Sequence, residues 1–469
     1  MSVKSHSDIE KVATLEESGS ILGVPSSALK WHQRLRNVGV ESRGIRPIAM
    51  EDRTDGQYNR ILFLWIAMSF NLLPFSAGTL GPIAFGLSVR DSCLVILFFN
   101  VLCCIPPAYF CTWGPKMGMR QMIQARFSFG KFGVLLPVVL NLIGMIGFCI
   151  LSCILGGQTL AAVADYHLSW SVGVVIISLV SLLVSFMGYT VLHWYERLSW
   201  APVIIAVLVA LGTGGKHLSN PTPAAPATAQ AVLSFASVMA GFVLTWSPLS
   251  SDFTCYMRPE APSHRIFIYS YVGLLFPVVT LQCLGAAVAA CLGNVASWQD
   301  GYDQGSVGGL LAAMLAPAHG FGKFLVVLLS LGLVGNVAAT FYSVSLNFQM
   351  LMPFLIVVPR YIFSIIATAI VIPLSIVGAH HFYATLNNFL ALIGYWASAF
   401  TIIILEEHFI FRGGKASSYD ISTWNTAREL PTGIASLGAG LLSLGLVVPS
   451  IDQVWFVGPI AKHHRRHWV

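Results

Sequence analysis

Leu72-Leu73-Pro74-Phe75-Ser76-Ala77-Gly78-Thr79 sits inside an apolar run of residues 61–89, and Trp246-Ser247-Pro248 sits inside a second run of residues 231–257. Pro removes a backbone donor and Gly weakens a helix, so both stretches read as interruptions, the first centred on Pro74-Phe75-Ser76-Ala77-Gly78. Hydrocarbon cannot hydrogen-bond a freed N–H or C=O, so such a break persists at bilayer depth only beside protein or a polar cavity. A single break has an ordinary explanation, a kink whose groups are satisfied by neighbouring helices. Two breaks five spans apart, in corresponding halves of the chain, point to a binding site at the membrane midplane.

The rest of the chain agrees with a membrane reading. Of its 469 residues, 56% are hydrophobic and only 10% charged, and mean hydropathy is +0.74; this composition excludes a water-soluble fold. At about 20 apolar residues per crossing, spans fall near residues 61–89, 91–113, 134–163, 170–189, 193–215, 231–257, 265–292, 321–351, 361–379, 384–411 and 432–451, eleven in all. The polar residues 1–60 form a tail, 61–412 a ten-helix core with halves at 61–215 and 231–412, 413–431 a loop, and 432–469 an eleventh helix with a short basic tail.

Lys and Arg set the expected orientation. Twenty of the 26 lie in the N-terminal tail and in the loops that share its side, whereas the opposite loops hold only Arg90, Lys216 and Lys323. The positive-inside rule therefore puts the N-terminus in the cytoplasm. The basic cluster Lys462-His463-His464-Arg465-Arg466-His467 then falls on the wrong side of an odd number of spans, which suggests a lost twelfth helix or a re-entrant turn over residues 455–460. All nine cysteines lie in or beside apolar runs, where they act as small hydrophobes, and no metal-ligand spacing or disulfide framework emerges. The positive charge follows topology and forms no compact basic domain, so nucleic acid is not an expected partner.

Within the spans, the polar and aromatic residues are the candidates. Trp246 offers a π-face for stacking a planar heterocycle, with lipid-interface anchoring as the ordinary alternative. Gln158, after Gly156-Gly157, carries an amide suited to a lactam or amidine edge, although interhelical bonding is a common use of such a group. Asn336 and Thr340 share a helix face. Asp252 is either a proton-coupling carboxylate or a cap for backbone groups freed by the break. Glu406, Glu407 and His408 read as a solvated or salt-bridged helix end. No intramembrane His pair or Ser–His arrangement supports an enzyme.

In order along the chain, several blocks resemble the nucleobase-cation symporter family in its fungal purine-cytosine permease branch. They include Arg53-Thr54-Asp55, Phe75-Ser76-Ala77-Gly78-Thr79-Leu80-Gly81-Pro82, Gly114-Pro115-Lys116-Met117-Gly118-Met119-Arg120, Gly156-Gly157-Gln158, Ser251-Asp252-Phe253 and Leu392-Ile393-Gly394-Tyr395-Trp396. The resemblance implies an all-α polytopic membrane protein with a leucine-transporter-like 5+5 inverted repeat. It also implies proton-coupled uptake of purines and cytosine across the plasma membrane, without a cofactor. By position it carries over Ser76, Trp246 and Gln158, with Gly78 in the same break. This chain departs from the family pattern at Phe148 and Ser152, in place of Trp and Asn, and at Val337 and Ala339-Thr340, in place of an Asn and a Pro-Asn pair. Those exchanges favour two alternatives: another heterocycle, such as a vitamin B6-like or thiamine-like molecule, or a relative that binds without transporting.

Overall fold

The computed structural model describes residues 45–186, 200–351, 355, 358, 360–453 and 456–467. The N-terminal tail before residue 45 and the turn at 190–197 lie outside them. Among the described residues the chain is helical without a β-sheet, with two isolated bridges. The eleven expected spans correspond to Arg60–Ser69 with Leu72–Phe85 (span 1), Val89–Cys103 with Ile105–Cys111 (2), Leu135–Val163 (3), Trp170–Phe186 (4), Trp200–Gly214 (5), Ala229–Leu244 with Ser247–Phe253 (6), Ser263–Ala290 (7), His319–Leu351 (8), Arg360–Gly378 (9), Phe382–Glu406 (10) and Ile434–Ser450 (11).

Span 1 breaks earlier than expected. Its two halves meet at 52° across Phe70 and Asn71, and Asn71 is extended at φ −142° and ψ −176°. The Asn71 carboxamide oxygen accepts from Leu73 N at 2.9 Å, starting the second half. Pro74 lies within the first turn of that half, where N–H groups have no intrahelical partner, so its missing donor disrupts nothing. Span 6 breaks where expected: its α-helix ends at Leu244, and a 3₁₀ segment, Ser247–Phe253, follows Trp246.

Small residues bring the spans into close contact, as expected where lipid supplies no hydrophobic drive between helices. A Cβ at Gly78 would run into the Gln282 carbonyl of span 7, and one at Gly285 into the Phe75 carbonyl of span 1. A Cβ at Gly241 of span 6 would run into the Leu390 carbonyl of span 10, with Gly394 next to it. Buried Asn100 of span 2 donates to the Gln282 side-chain oxygen at 2.7 Å.

The loops at 114–133 and 413–431 share one face, here the basic face, where Arg126 donates to Asn425 at 3.1 Å and Lys131 to the Asn425 carbonyl at 2.8 Å. Buried Arg53 ties the chain before span 1 to this face, donating to the carbonyls of Ile48 at 2.9 Å and Pro115 at 3.1 Å. Asp55 pairs with residues after span 6, donating to Tyr256 O and accepting from Arg258 N. His408, expected at a solvated or salt-bridged helix end, is instead buried between the Tyr419 hydroxyl at 3.1 Å and the Tyr109 hydroxyl at 3.0 Å. Burial raises the Tyr419 phenol, so it meets the imidazole as a neutral hydroxyl. Glu407 is salt-bridged as expected, to Arg412 at 2.7 Å.

Two further differences concern the opposite, far face. Residues 296–315, expected as a connection, form the helix Ala296–Leu315, kinked at Ser306. After span 11 the chain turns back through the Asp452–Val457 bridge into Pro459–His467. Ser234, near the far-face start of span 6, donates to Asp452 O at 2.9 Å, which holds the beginning of this turn at the far face; the re-entrant turn expected over 455–460 begins outside the described residues.

Candidate substrate cavity

The unwound residues of spans 1 and 6 face each other across a narrow cavity of about 40 Å³, closed laterally by spans 3, 8 and 10. At that volume it holds about three water molecules. A planar heterocycle is larger, so admitting one requires the aromatic walls to swing aside.

Four of the residues singled out from sequence meet there: Phe148, Trp246, Asn336 and Thr340. Asn336 donates from its amide to the Met68 carbonyl at 3.0 Å, which ties span 8 to the break in span 1. Thr340 donates to the Asn336 carbonyl at 2.7 Å, leaving its hydroxyl lone pairs as acceptors. Met68 O also accepts from Asn71 at 2.8 Å, so this freed carbonyl is satisfied twice by side-chain amides.

Ser76, Gly78, Ser152 and Gln158 are not brought to the cavity. Ser76 and Gly78 lie inside the second half-helix of span 1, because the break precedes them. Ser76 donates to Leu72 O at 3.0 Å, and Gly78 is the contact point with span 7. Ser152 is buried one turn beyond Phe148, and Gln158 donates to Ala379 O at 3.0 Å, bonding span 3 to the connection between spans 9 and 10.

Asp252 lies three residues beyond the cavity residue Leu249 and accepts from Gln121 N at 2.8 Å. It thereby caps the short helix Gln121–Gln124 of the basic-face loop. Gln121 returns a bond by accepting from Ser251 N at 3.3 Å, and Arg120 supplies the nearby positive charge. The sixth span is thus fastened to the loop between spans 2 and 3.

Sequence reading missed Ser69, Asn71, Asn141 and Trp396. Ser69 Oγ and Trp396 Nε1 line this region buried and without a protein partner, one able to donate or accept and the other a pure donor. Above them, on the far-face side, Phe148 packs edge-on against Phe242 at 6.1 Å and Phe389 at 5.2 Å. On the basic-face side Trp65 meets Trp246 edge-on at 5.3 Å and Phe253 at 5.6 Å. The cavity therefore has aromatic layers at both ends and amides and hydroxyls around its waist, chemistry suited to a flat, polar-edged molecule.

The chain is similar to several known proteins. The purine-cytosine permease fcyB of Emericella nidulans is 34% identical over 93% of this chain and 86% of that protein. The Saccharomyces cerevisiae purine-cytosine permease FCY2 is 32% identical over 96% and 86%, and the vitamin B6 transporter TPN1 of the same yeast is 32% identical over 84% and 70%. Among solved structures, inward-facing Mhp1 superposes with a TM-score of 0.63 at 16% identity, covering 87% of this chain and 90% of that one. Mhp1, a nucleobase-cation-symport-1 family transporter, closed around bromovinylhydantoin, gives 0.61 at 14% identity, covering 91% and 99%. The leucine-transporter-like fold that the family resemblance implied, and with which the two breaks agree, is thus borne out. Residues 47–458 match the family described as permease for cytosine/purines, uracil, thiamine, allantoin, and the chain belongs to that family.

Proposed function

We propose that this chain is a secondary active transporter that takes up purine bases and cytosine across the plasma membrane by alternating access, coupled to protons, with its basic face in the cytoplasm. The observation that carries the reading is the cavity at the meeting of two broken spans, with Trp246 and Phe148 as stacking faces and Asn336, Thr340 and Trp396 as edge partners. An uncharged base needs no counter-ion, and the lining residues include no ionised side chain. Substrate enters from the far face, stacks on Trp246, and is released when spans 1, 2, 6 and 7 rock against spans 3, 4, 8 and 9. Asp252 is the proposed coupling carboxylate.

A second reading, transport of a vitamin B6-like pyridine, draws on the TPN1 relative and on hydroxyl and methyl groups where an Asn-rich pattern was expected. The deciding experiment is initial-rate uptake of labelled adenine, hypoxanthine and cytosine at two pH values in a fungal host lacking base permeases, with pyridoxine and thiamine as competitors and surface expression checked. Faster base uptake at acidic pH supports the first reading. Pyridoxine uptake without base uptake supports the second.

A further inference from the structure

Asn141 lines the cavity two helical turns below Phe148, about 10 Å nearer the basic face. It is buried, and its partner is Asn347 of span 8, seven residues beyond Thr340. The direction of the pair is fixed. Asn347 Nδ2 donates to the Ser343 carbonyl at 3.0 Å, which can only accept, so Asn347 turns its Oδ1 towards Asn141. Asn141 must then answer with Nδ2, and does so at 3.1 Å. With one N–H given to Asn347, Asn141 keeps its carboxamide oxygen as an acceptor on a residue that lines the cavity.

We infer that Asn141 is a specificity residue that reads an N–H donor, such as an exocyclic amine, on the leading edge of the substrate. The Ser343–Asn347–Asn141 chain keeps it an acceptor and prevents the amide from flipping to welcome a carbonyl. A ligand with a carbonyl at that edge would set oxygen against oxygen and leave both unpaired, the arrangement that discriminates most strongly in a buried site. Cytosine and uracil differ in this way, an amine in one replacing a carbonyl in the other.

The inference rests on the proposed transport reading, and the test separates the two. Labelled cytosine uptake is measured with uracil and cytosine as competitors in the wild type, Asn141→Leu, Asn141→Asp, Asn347→Leu and Trp246→Ala, each normalised to surface protein. The wild type favours cytosine by about tenfold or more in inhibition constant. Asn141→Leu collapses that ratio, and Asn141→Asp, which loses the N–H given to Asn347 and sets oxygen against oxygen there, lowers it as well. Asn347→Leu frees the Asn141 amide to turn and lowers the ratio with the acceptor residue still present, a readout that survives if Asn141→Leu fails to fold. A wild type inhibited equally by both bases overturns the inference, as does an unchanged ratio in Asn141→Leu and Asn347→Leu, which leaves the pair as a structural tie between spans 3 and 8. If Trp246→Ala abolishes uptake in that second case, the cavity stands without Asn141 in it; if Trp246→Ala transports normally, the cavity reading itself falls.

Discussion

Trp246 stands at the break of span 6 with one edge packed on Trp65 and the other side on the cavity, so its ring is both wall and stacking surface. Trp246→Ala should abolish uptake with surface expression intact, whereas Trp246→Phe keeps a smaller face and should mainly raise KM. Uptake kinetics of the two variants check this. Asp252 has two separable properties, an acceptor oxygen for Gln121 N and a charge that can titrate. Asp252→Asn keeps the first and removes the second, so the protein should reach the surface while the stimulation of uptake by acid is lost; an unchanged pH profile would leave Asp252 as the cap alone. Legibility at this scale followed chemistry. Trp246, Asn336 and Thr340 were readable as bulky or polar groups mid-span or at a break, and Phe148 through the family resemblance. Asn141 was hidden because span 3 is apolar over 29 residues with polar residues on more than one side, and periodicity does not say which side meets a cavity. Ser76 and Gly78 were misplaced for a local reason: Pro74 breaks a helix in its interior but not in its first turn.

At the level of elements, the fold was legible wherever apolar length decided it. Spans 3 and 7 begin and end within two residues of expectation, and span 10 begins within two, its α-helix ending at Glu406 and a π-helical turn, Glu407–Phe411, completing the expected length. The helix Ala296–Leu315 was not legible, since it is rich in Gly and carries Asp300 and Asp303. Its helicity comes from packing that sequence spacing does not display: Trp298 against Gly214, and Gly308 against the Gln158–Thr159 backbone. The break in span 1 depends on one side chain, since Asn71 caps the second half-helix and also donates to Met68 O. Asn71→Ala removes both, at about 1 kcal/mol for the cap with a further loss from the buried bond, and should lower the apparent melting temperature in detergent and the level at the surface. Asn71→Asp keeps the cap acceptor and loses only the donor, so it should lie between the two in melting temperature; equal values for both variants would mean that the cap contributes nothing.

For the whole molecule, the question is which end of the cavity is shut. Span 3 leaves the basic face and spans 6 and 10 arrive from the far face, so Phe148, Phe242 and Phe389 form a layer on the far-face side of Trp246. Further out, the Thr79 hydroxyl of span 1, which donates to Ser76 O at 2.7 Å, meets the Tyr383 hydroxyl of span 10 at 3.3 Å, and Tyr383 packs on Tyr302 of the kinked helix at 5.5 Å. Phe148 with Phe242 and Thr79 with Tyr383 each join a rocking span to one outside the rocking set, so these two contacts must part for entry. Phe389 touches Phe148 without lining the cavity, which makes it the residue to remove. A Cys introduced at Thr340 reports access from outside, and the nine native cysteines, seven buried and two half-buried, give a background measured in the parent. In whole cells, Thr340→Cys should react slowly with a membrane-impermeant thiol reagent, Thr340→Cys with Phe389→Ala several-fold faster, and saturating substrate should slow both. Equal rates with and without Phe389 would place the barrier in the outer contact between Thr79 and Tyr383, and Tyr383→Phe, which removes that hydroxyl, would then become the variant that speeds labelling.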